Sequence, residues 1–557
     1  MNDDFDSNPN PNPNPETVDK SICANSAGGA SSHLRPHRRR RLATELPNPL
    51  IIPDDAPCPP ANQTMVQGFE WYMPADFQHW RRLADDAIVP LSQLGVTSLW
   101  LPPASKAAWP QGNGYDTYDL FDLGEFDQKG ARHTKWGSKE ELQRLVDVAS
   151  GHGIKVLFDA VLNHKAAADY SERVVATKVD PKDRTRPVKG QDEEYEIEAW
   201  TGYRFPGRGD AHSPLKWNKK HFTGIDYDSK AGEKGVWKFK GKEWAEDVDE
   251  ELGNYDYLMF ADVDHKHPEV RRDLFHWVSW LSAQMKHQIG GLRLDAIKHF
   301  SFAFLRDLLA HIDNSVNPYW FIVGEYWRED SEFLAHFIEY MNHRLSLFDV
   351  QLVSNFSRVS LLEEKGDLRT IFDDALVVWK PENAVQLGQS LETPVAPFFI
   401  PLAYSLILLR ANAGLPCVFW SDLYGSFGPH NKFAPPTSGG QVLPRMMLAR
   451  QRWAYGTQVD YFDDPNCIGF TRFGHPLRSR GDGLAVVMTN SWTYASKRMC
   501  VGARHAGEVW TDVLRLCPGE VVIDSSGFGV FPVGFRSVAV WVDRKAHGRG
   551  AADGLVL

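Results

Sequence analysis

From Thr64 onward, short apolar runs alternate with amphipathic stretches along the chain. Short runs bounded by turn residues predict strands, whereas apolar residues repeated every three or four positions predict helices. The predicted strands of this part are residues 65–70, 96–101, 155–161, 291–296, 321–325, 346–350 and 417–420. Strands that alternate with helices in this way are typical of βα units around a parallel sheet, and we expect that sheet to close into a barrel.

Three of the helices carry boundary signals. The first begins near Asp76 and ends at Gly95, because a glycine adopts the left-handed conformation that closes a helix. The second opens with a capping box formed by Ser138 and Glu141. The third begins at Pro268, whose missing N–H group is harmless in a first turn.

Three stretches depart from the βα rhythm and predict a domain organisation. Residues 1–61 are rich in proline and arginine and are predicted to be a disordered tail. Residues 165–263 are too long for a simple loop and are predicted to form an inserted subdomain, which divides the barrel into residues 62–164 and 264–455. Residues 456–545 contain short runs at 483–488, 509–514, 521–523 and 537–542, which predict a C-terminal β-sandwich, followed by a tail at 546–557.

Charge and hydropathy exclude several classes of function. The formal net charge is −11, so no basic surface for nucleic acid is predicted. The longest apolar stretch, residues 398–409, contains a proline and is far shorter than the roughly 20 residues that span a bilayer, so it predicts a buried helix and no membrane partner. The six cysteines form no metal-type pair. The 19 tryptophans and 17 tyrosines suit a core, and they weakly favour a groove that stacks sugars.

The amino-terminal residues carry no charged segment followed by an apolar run of a secretory signal, which predicts a cytoplasmic protein. The arginine run at residues 38–41 leaves a nuclear address as a weaker alternative to a solvated charge cluster. A monomer is expected.

Acidic side chains close three of the predicted strands, namely Asp159, Asp295 and Glu325. Catalytic groups of a parallel barrel lie at the carboxyl ends of its strands. Arg293 and Asp295 project to the same side of their strand, so the guanidinium can hold the carboxylate ionised. An ionised carboxylate beside a second, protonated one is the pair that glycoside hydrolysis requires.

The same acids have a structural interpretation. A single aspartate at the end of a strand is more often a cap or turn residue than a catalytic one. Three such acids with polar neighbours favour a site, but their spacing alone does not name a reaction.

The motifs of residues 62–543 resemble those of the retaining α-amylase family, glycoside hydrolase family 13, in particular its liquefying bacterial-type and intracellular fungal members. The resemblance rests on the segments GFEWYMPADFQHWRRL, GYDTYDLFDLGEFDQKG, DAVLNHKAAAD, FPGRG, GNYDYLMFADVDHKHPEV, GLRLDAIKHFSFAFLRD, VGEYW, GQSLET and WTDV. It implies a TIM (β/α)8 barrel with a subdomain inserted after the third strand and a C-terminal antiparallel β-sandwich. It also implies endo-hydrolysis of α-1,4-glucosidic bonds in starch, glycogen or maltodextrins.

The resemblance assigns roles to residues at matching positions. Asp295 matches the nucleophile, Glu325 the general acid/base, and Arg293 the residue that positions the nucleophile. The other implied substrate contacts are His164 and Tyr115 at the cleaved bond, Lys298, His299 and Trp327 on the leaving-group side, and Trp71 along the cleft.

The resemblance further implies a structural Ca²⁺ between the barrel and the insert. Oxygen donors suit this hard cation. Thr223 and Ala245 stand where close relatives carry aspartates for further metals, so a second metal centre is not expected. The implied ligands are Asn163, Asp256, Asp262 and the backbone carbonyl of His299.

The chain departs from the family pattern at the seventh strand. Family members carry a third carboxylate in a segment like FVDNHDT, but here Val385 runs directly into Gln386, and about eight residues are absent. We expect either that residues 376–379 fill the gap or that the barrel is damaged, since eight residues would span about 26 Å at 3.3 Å each. The intact flanks suggest a splicing or gene-model artefact, which transcript reads that join Val385 to Gln386 would refute.

The sequence therefore leaves three functions open. The first is an α-amylase acting on an α-1,4-glucan polymer or oligosaccharide, with impaired activity because the third aspartate is missing. The second is a glucanotransferase, in which a sugar hydroxyl replaces water. The third is a glucan-binding protein that has lost its chemistry.

Overall fold

The computed structural model describes residues 58–190, 193–390, 393–428, 432–436 and 441–554. Most of the tail predicted at residues 1–61, with its arginine run at 38–41, lies outside the described residues. Within them, no helix is both long enough and apolar enough to cross a bilayer.

Eight parallel strands close into a barrel in which each strand pairs with the next one along the chain, and the eighth pairs with the first. The TIM-type fold predicted from the sequence is therefore confirmed. The strands are β1 (Met65–Gln67), β2 (Ser98–Trp100), β3 (Lys155–Ala160), β4 (Ile289–Leu294), β5 (Phe321–Gly324), β6 (Ser346–Phe348), β7 (Ala384–Leu387) and β8 (Leu415–Phe419).

Helices between and around these strands bury one apolar face in a continuous core. The predicted capping box is present, since the Ser138 and Glu141 side chains each accept the other's backbone N–H. The first helix begins at His79 rather than near Asp76, whose carboxylate instead caps the preceding turn by accepting the Gln78 N–H. The helices are His79–Arg82, Ile88–Gln93, Lys139–Gly151, Pro268–Gln284, Phe302–Ser315, Ser331–Tyr340, Val350–Leu361, Leu376–Trp379, Ile400–Leu409, Trp420–Tyr424, Val442–Arg452, Pro476–Ser479 and Arg549–Asp553, and a π-helical turn at Leu83–Ala87 joins the first two.

The seventh strand corrects a prediction. Residues Leu376–Trp379 form a helix and do not replace the missing segment, and the barrel is closed. Instead β7 forms across the junction of Val385 and Gln386, pairing Val385 with Phe348 of β6 and with Leu415 of β8. Four residues suffice because β6 has only three, so few backbone groups need partners there.

The insert after β3 is an antiparallel sheet of seven strands. In the order of the sheet they are His164–Lys165, Ala261–Val263, Phe222–Asp228, Glu233–Phe239, Tyr170–Asp180 and Asp183–Pro187, and Tyr195–Gly202 also pairs with Tyr170–Asp180. The strand His164–Lys165 directly follows β3, and the strand Ala261–Val263 directly precedes the helix Pro268–Gln284, so the sheet is joined to the barrel at the carboxyl end of β3 and at the start of that helix.

The C-terminal part forms one six-stranded sheet and one two-stranded sheet around a separate core. The six strands are Gln458–Tyr461, Cys467–Arg472, Leu484–Thr489, Ser537–Asp543, Val509–Asp512 and Val521–Val522, and the pair is Ala495–Cys500 with Phe528–Val533. The tail predicted after residue 545 instead contains the helix Arg549–Asp553, because the buried side chains of Ala546 and Ala552 pack against the main core.

Candidate active site

One buried guanidinium gathers three carboxylates at the carboxyl ends of β3, β4 and β5. The Nη1 atom of Arg293 donates to Asp159 Oδ1 at 2.9 Å and to Asp295 Oδ1 at 2.5 Å. Its Nη2 atom lies 2.9 Å from Glu325 Oε2. Side chains of β3 and β4 meet here because Arg293 is paired with Asp159 across the two strands. The sequence prediction that these acids converge is thus observed in the geometry.

The acids are further held by the turn after β4. The backbone N–H of Ala296 donates to Glu325 Oε2 at 3.0 Å, and Ala296 adopts a left-handed conformation with φ of 52°. The carboxyl groups of Asp295 and Glu325 are within hydrogen-bonding reach of each other. Two carboxyl groups so close share a proton more readily than they share two negative charges.

Burial and charge act in opposite directions on these two acids. Burial raises the pKa of Asp295, and the Arg293 guanidinium opposes that rise. Burial also raises the pKa of Glu325, and the neighbouring Asp295 carboxylate raises it further, against Arg293. The side chain of Glu325 is still 30% exposed, so it faces the cleft while the Asp295 side chain is 9% exposed. The arrangement suits one ionised and one protonated carboxyl group.

Asp159 lies at the centre of this network, although the sequence assigned it no role. Its Oδ1 accepts from Arg293, and its Oδ2 accepts from the Tyr115 hydroxyl at 2.9 Å and from Trp100 Nε1 at 3.0 Å. The sequence signal was its position at the end of β3, in the segment KVLFDAVLNH. What the sequence lacked was the partner set, which comes from three different segments of the chain.

One wall of the cleft is aromatic. The Trp71 and Tyr115 rings stack with centroids 5.7 Å apart and planes 18° apart, and the Trp71 side chain is 42% exposed. His164 Nε2 bonds the Tyr115 carbonyl at 2.8 Å, and burial lowers the pKa of His164 to about 4, so its imidazole is neutral at pH 7. The structure brings these three predicted residues together beside Asp159.

The other predicted contacts follow β4 and β5. Lys298 Nζ donates to the Trp327 carbonyl at 3.2 Å and forms an ion pair with Glu251 of the insert. His299 Nδ1 bonds the Tyr255 carbonyl at 2.8 Å, and burial lowers the pKa of His299 to about 3. Trp327 is half-buried and lies two residues after Glu325 in the chain. These residues join the end of β4 to the insert and to the end of β5.

The β7 edge of the mouth differs from this arrangement. The strand, Ala384–Leu387, carries no carboxylate, and the Gln386 side chain is fully buried, with neither amide atom hydrogen-bonded to any of the described residues. Beyond it, Gln389 Nε2 donates to Asp422 Oδ1 at 2.6 Å, and the Tyr404 hydroxyl donates to Asp422 Oδ2 at 2.7 Å. Asp422 is therefore engaged in holding the loop after β7.

The residues of the predicted cation site are all buried, and two of them, Asp256 and Asp262, are carboxylates that act on each other. Both side-chain polar atoms of Asn163 are buried without a partner among the described residues. Burial and the neighbouring Asp256 carboxylate raise the pKa of Asp262 well above its usual value. His299 is bonded to Tyr255, adjacent in the chain to Asp256. Unpaired oxygens and crowded carboxylates fit a hard cation, which would satisfy both.

Thr223 and Ala245 also contact the two acids of this group. The Thr223 hydroxyl donates to Asp262, and the Ala245 N–H donates to Asp256 Oδ2 at 2.9 Å. A hydroxyl and a backbone amide therefore each donate to one of the two carboxylates.

A second group of possible ligands, which the sequence did not single out, consists of His221, His267 and Glu269. The Nδ1 atoms of His221 and His267 both accept backbone N–H groups, from Asn218 at 3.0 Å and from Glu269 at 3.3 Å. Each neutral imidazole therefore carries its proton on Nε2, the atom that would have to bind a metal. This group is a hydrogen-bonded structural cluster.

Known proteins resemble this chain over most of its length. The family model "Alpha amylase, catalytic domain" matches residues 87–365. The α-amylase of Bacillus licheniformis is 41% identical over 491 residues, covering 87% of this chain and 94% of that protein. The cytoplasmic α-amylase of Escherichia coli is 38% identical over 499 residues, covering 86% of this chain and 99% of that protein.

Solved structures agree on the fold. An α-amylase from Geobacillus thermoleovorans, complexed with acarbose, has a TM-score of 0.57, covering 87% of this chain and 98% of that chain. At 15% identity this likeness bears on the fold alone.

Proposed function

The chain belongs to the α-amylase family of glycoside hydrolases, and we propose that it hydrolyses internal α-1,4-glucosidic bonds of starch, glycogen or maltodextrins with retention of configuration. The observation that carries the proposal is the contact of Asp295 and Glu325 with a single guanidinium, that of Arg293. Inverting enzymes hold their carboxyl groups about 6.5–9.5 Å apart to admit a water molecule, whereas retaining enzymes hold them closer. Two acids within hydrogen-bonding reach favour the retaining reaction.

In the first step, an Asp295 oxygen attacks the anomeric carbon and the bond from that carbon to the leaving sugar oxygen breaks. Glu325 donates its proton to the leaving oxygen, and Asp295 becomes a glycosyl ester. Arg293 keeps Asp295 ionised before the attack, since its positive charge opposes the effect of burial. A protonated Glu325 is available because burial and Asp295 raise its pKa.

In the second step, the Glu325 carboxylate removes a proton from water, whose oxygen bonds to the anomeric carbon as Asp295 leaves. The sugar ring at this point would stack on Tyr115, whose hydroxyl is fixed by Asp159. Neutral His164 would donate or accept a hydrogen bond at a sugar hydroxyl, and Trp71 would extend the stacking surface. Lys298, His299 and Trp327 would contact the leaving sugar.

The β7 edge is the reason to expect reduced activity. The sugar ring gains positive charge in the transition state, and a carboxylate placed there in advance stabilises that charge. With no such carboxylate on β7, we propose that the chain binds glucan in a cleft with nucleophile and acid in place but turns it over slowly. The same observation supports the second candidate, a glucan-binding protein without turnover. Glucanotransfer uses the same residues and is separated from hydrolysis by its products.

We propose that Ca²⁺ binds Asn163, Asp256, Asp262 and the His299 carbonyl. The orphaned Asn163 side chain and the crowded carboxylates support this. The bound ion would neutralise the two acids and tie the insert to the barrel. For the location of the protein we propose the cytoplasm, in keeping with the cytoplasmic relative from Escherichia coli.

The proposed function is tested on soluble starch with two chains, this one and a version in which a TFVDNHDT-like segment separates Val385 from Gln386. Release of reducing ends by both, and faster release by the restored chain, supports the proposal. Product analysis on maltooligosaccharides distinguishes hydrolysis from transfer. If neither chain releases reducing ends or transfers sugars, the enzyme proposal is wrong.

A further inference from the structure

Three exposed aromatic side chains lie on two adjacent turns of the C-terminal domain. Trp492 and Tyr494 lie on the turn before strand Ala495–Cys500, and Phe535 lies on the turn after strand Phe528–Val533. Their side chains are 56%, 76% and 49% exposed. The Tyr494 and Phe535 rings contact each other edge to face, with centroids 5.9 Å apart. We call this surface the aromatic platform; it shares no residue with the cleft.

The platform is held rigidly. The backbone N–H of Arg536 donates to the Ser491 carbonyl at 2.8 Å, so the two turns are bonded together. The Arg536 guanidinium lies 4.1 Å from the Trp492 ring and 3.8 Å from the ring of Phe398, which belongs to the barrel. Only 14% of the Arg536 side chain is exposed. One face of Trp492 is therefore covered by a fixed cation, and the indole is oriented before any ligand arrives.

The chemistry of the platform suits a neutral, amphipathic ligand. Arg536 forms an ion pair with Glu363 at 3.4 Å, so the Glu363 carboxylate neutralises the positive charge that lies against the Trp492 ring. Hydroxyl groups alternate with the rings along the first turn, since Ser491 and Thr493 flank Trp492, and their oxygens lie 3.1 Å apart. A pyranose ring offers an apolar C–H face to an aromatic ring and hydroxyls to such oxygens. Single exposed rings are common on proteins, but a contiguous group marks a binding surface.

The size of the platform separates a glucan from a protein partner. Aromatic side chains bury 150–250 Å² each when fully covered, so three half-exposed rings offer roughly 300 Å² together. A stable protein interface takes about 800 Å² from each partner. Three rings match two or three sugar units of a chain and are too small for a stable dimer interface.

We propose that the aromatic platform is a second, non-catalytic binding site for the α-glucan chain on which the cleft acts. The inference rests on the proposed function for the identity of the polymer, but it does not require turnover. Its role would be to hold a polymeric substrate on the protein while the cleft binds another part of the same or a neighbouring chain. Two linked sites raise the effective concentration of the second one, so polymer affinity exceeds that for short oligosaccharides.

The test uses the full chain carrying Asp295→Asn, so that the polymer is not cut, and measures its retardation in native gels that contain amylose. Trp492→Ala combined with Tyr494→Ala should weaken retardation about tenfold, because aromatic anchors dominate such contacts. Trp492→Phe with Tyr494→Phe keeps both rings and should retain most of the affinity. The matched control is Tyr319→Ala, which removes an aromatic side chain that is 87% exposed elsewhere on the barrel and should change nothing.

Two further measurements keep the outcome unambiguous. A cleft variant, Trp71→Ala, should weaken retardation by a factor that multiplies with the platform factor, as independent sites do. Melting temperatures and light scattering report folding and association, and the single variant Tyr494→Ser serves if the double one unfolds. Unchanged amylose affinity in folded platform variants, or a dimer that these variants dissociate, overturns the proposal. Failure of the restored chain to cleave starch would refute the proposed function and would leave this binding result standing.

Discussion

The β3–β5 edge and the β7 edge of the same barrel mouth are built in opposite ways. At the first, Arg293 binds three carboxylates, and Tyr115 and Trp100 complete the hydrogen bonding of Asp159. At the second, backbone pairing and the apolar side chains of β7 close the barrel, and the buried Gln386 amide has no hydrogen-bond partner among the described residues. The comparison shows that the barrel closes around a strand of four residues that carries no carboxylate. Closure needs backbone pairing and apolar side chains, whereas catalysis needs particular side chains at the strand end.

The largest expected effect lies at the intact edge. In the chain with the restored segment, Asp295→Asn should lower kcat on the order of 10⁴-fold or more, because it removes the nucleophile. Amylose binding should change little, since the amide has nearly the shape of the carboxylate. Initial rates and gel retardation measure the two effects. A variant that loses binding and rate to the same degree would contradict the role of Asp295.

Restoring the missing segment at the β7 edge should have the next largest effect on kcat. Insertion of the missing segment between Val385 and Gln386 should raise kcat about 10²–10³-fold, the usual value of one preorganised group that stabilises transition-state charge. The control is the same insertion with both of its aspartates changed to asparagine, which restores the length of the strand but not its charge. Equal rates for the inserted, control and original chains would show that β7 does not limit the reaction.

Removal of the proposed Ca²⁺ tests whether the intact edge also depends on a metal, since Asn163 follows β3 and His299 follows β4. A chelator should lower the melting temperature, because an ion at 100–1,000 times its Kd stabilises the native state by about 3–4 kcal/mol. Thermal scans with and without EDTA measure this. In an Asn163→Ala variant the chelator should have little further effect. A melting temperature that EDTA leaves unchanged in the original chain would refute the site.

The smallest expected effect concerns the buried side-chain amide of Gln386 in β7. Gln386→Met should raise stability by about 1–3 kcal/mol, because it removes a buried amide that has no hydrogen-bond partner. The contrasting variant is Gln389→Met, which should destabilise the chain, since it breaks the 2.6 Å hydrogen bond to Asp422. Chemical denaturation compares the two. If Gln386→Met is destabilising, the amide has a function that the hydrogen bonds do not reveal.

The barrel and the charged edge could be predicted because their signals are local. Period-two and period-3.6 patterns marked seven strands and the capped helices, and Arg293 and Asp295 share a face by strand geometry alone. The length of residues 165–263 and the short runs after residue 456 predicted the insert and the terminal sheets, and the family resemblance implied the same organisation. The seventh strand could not be predicted, because Ala384–Leu387 is short and carries a glutamine at a buried position. Its conformation comes from the open pairing positions of β6 and β8.

The sequence by itself determined which residues this protein has for chemistry: an arginine and two acids at neighbouring strand ends, and no acid on the seventh strand. Only the tertiary structure decided which partners Asp159 has, that the short seventh strand closes the ring, and that the aromatic platform forms from two turns some forty residues apart in the chain. The physical reason is the separation along the chain of the residues that interact. Periodicity and side-chain alternation act between neighbours along the chain, whereas pairing of strands and contact of rings depend on residues that only folding brings together.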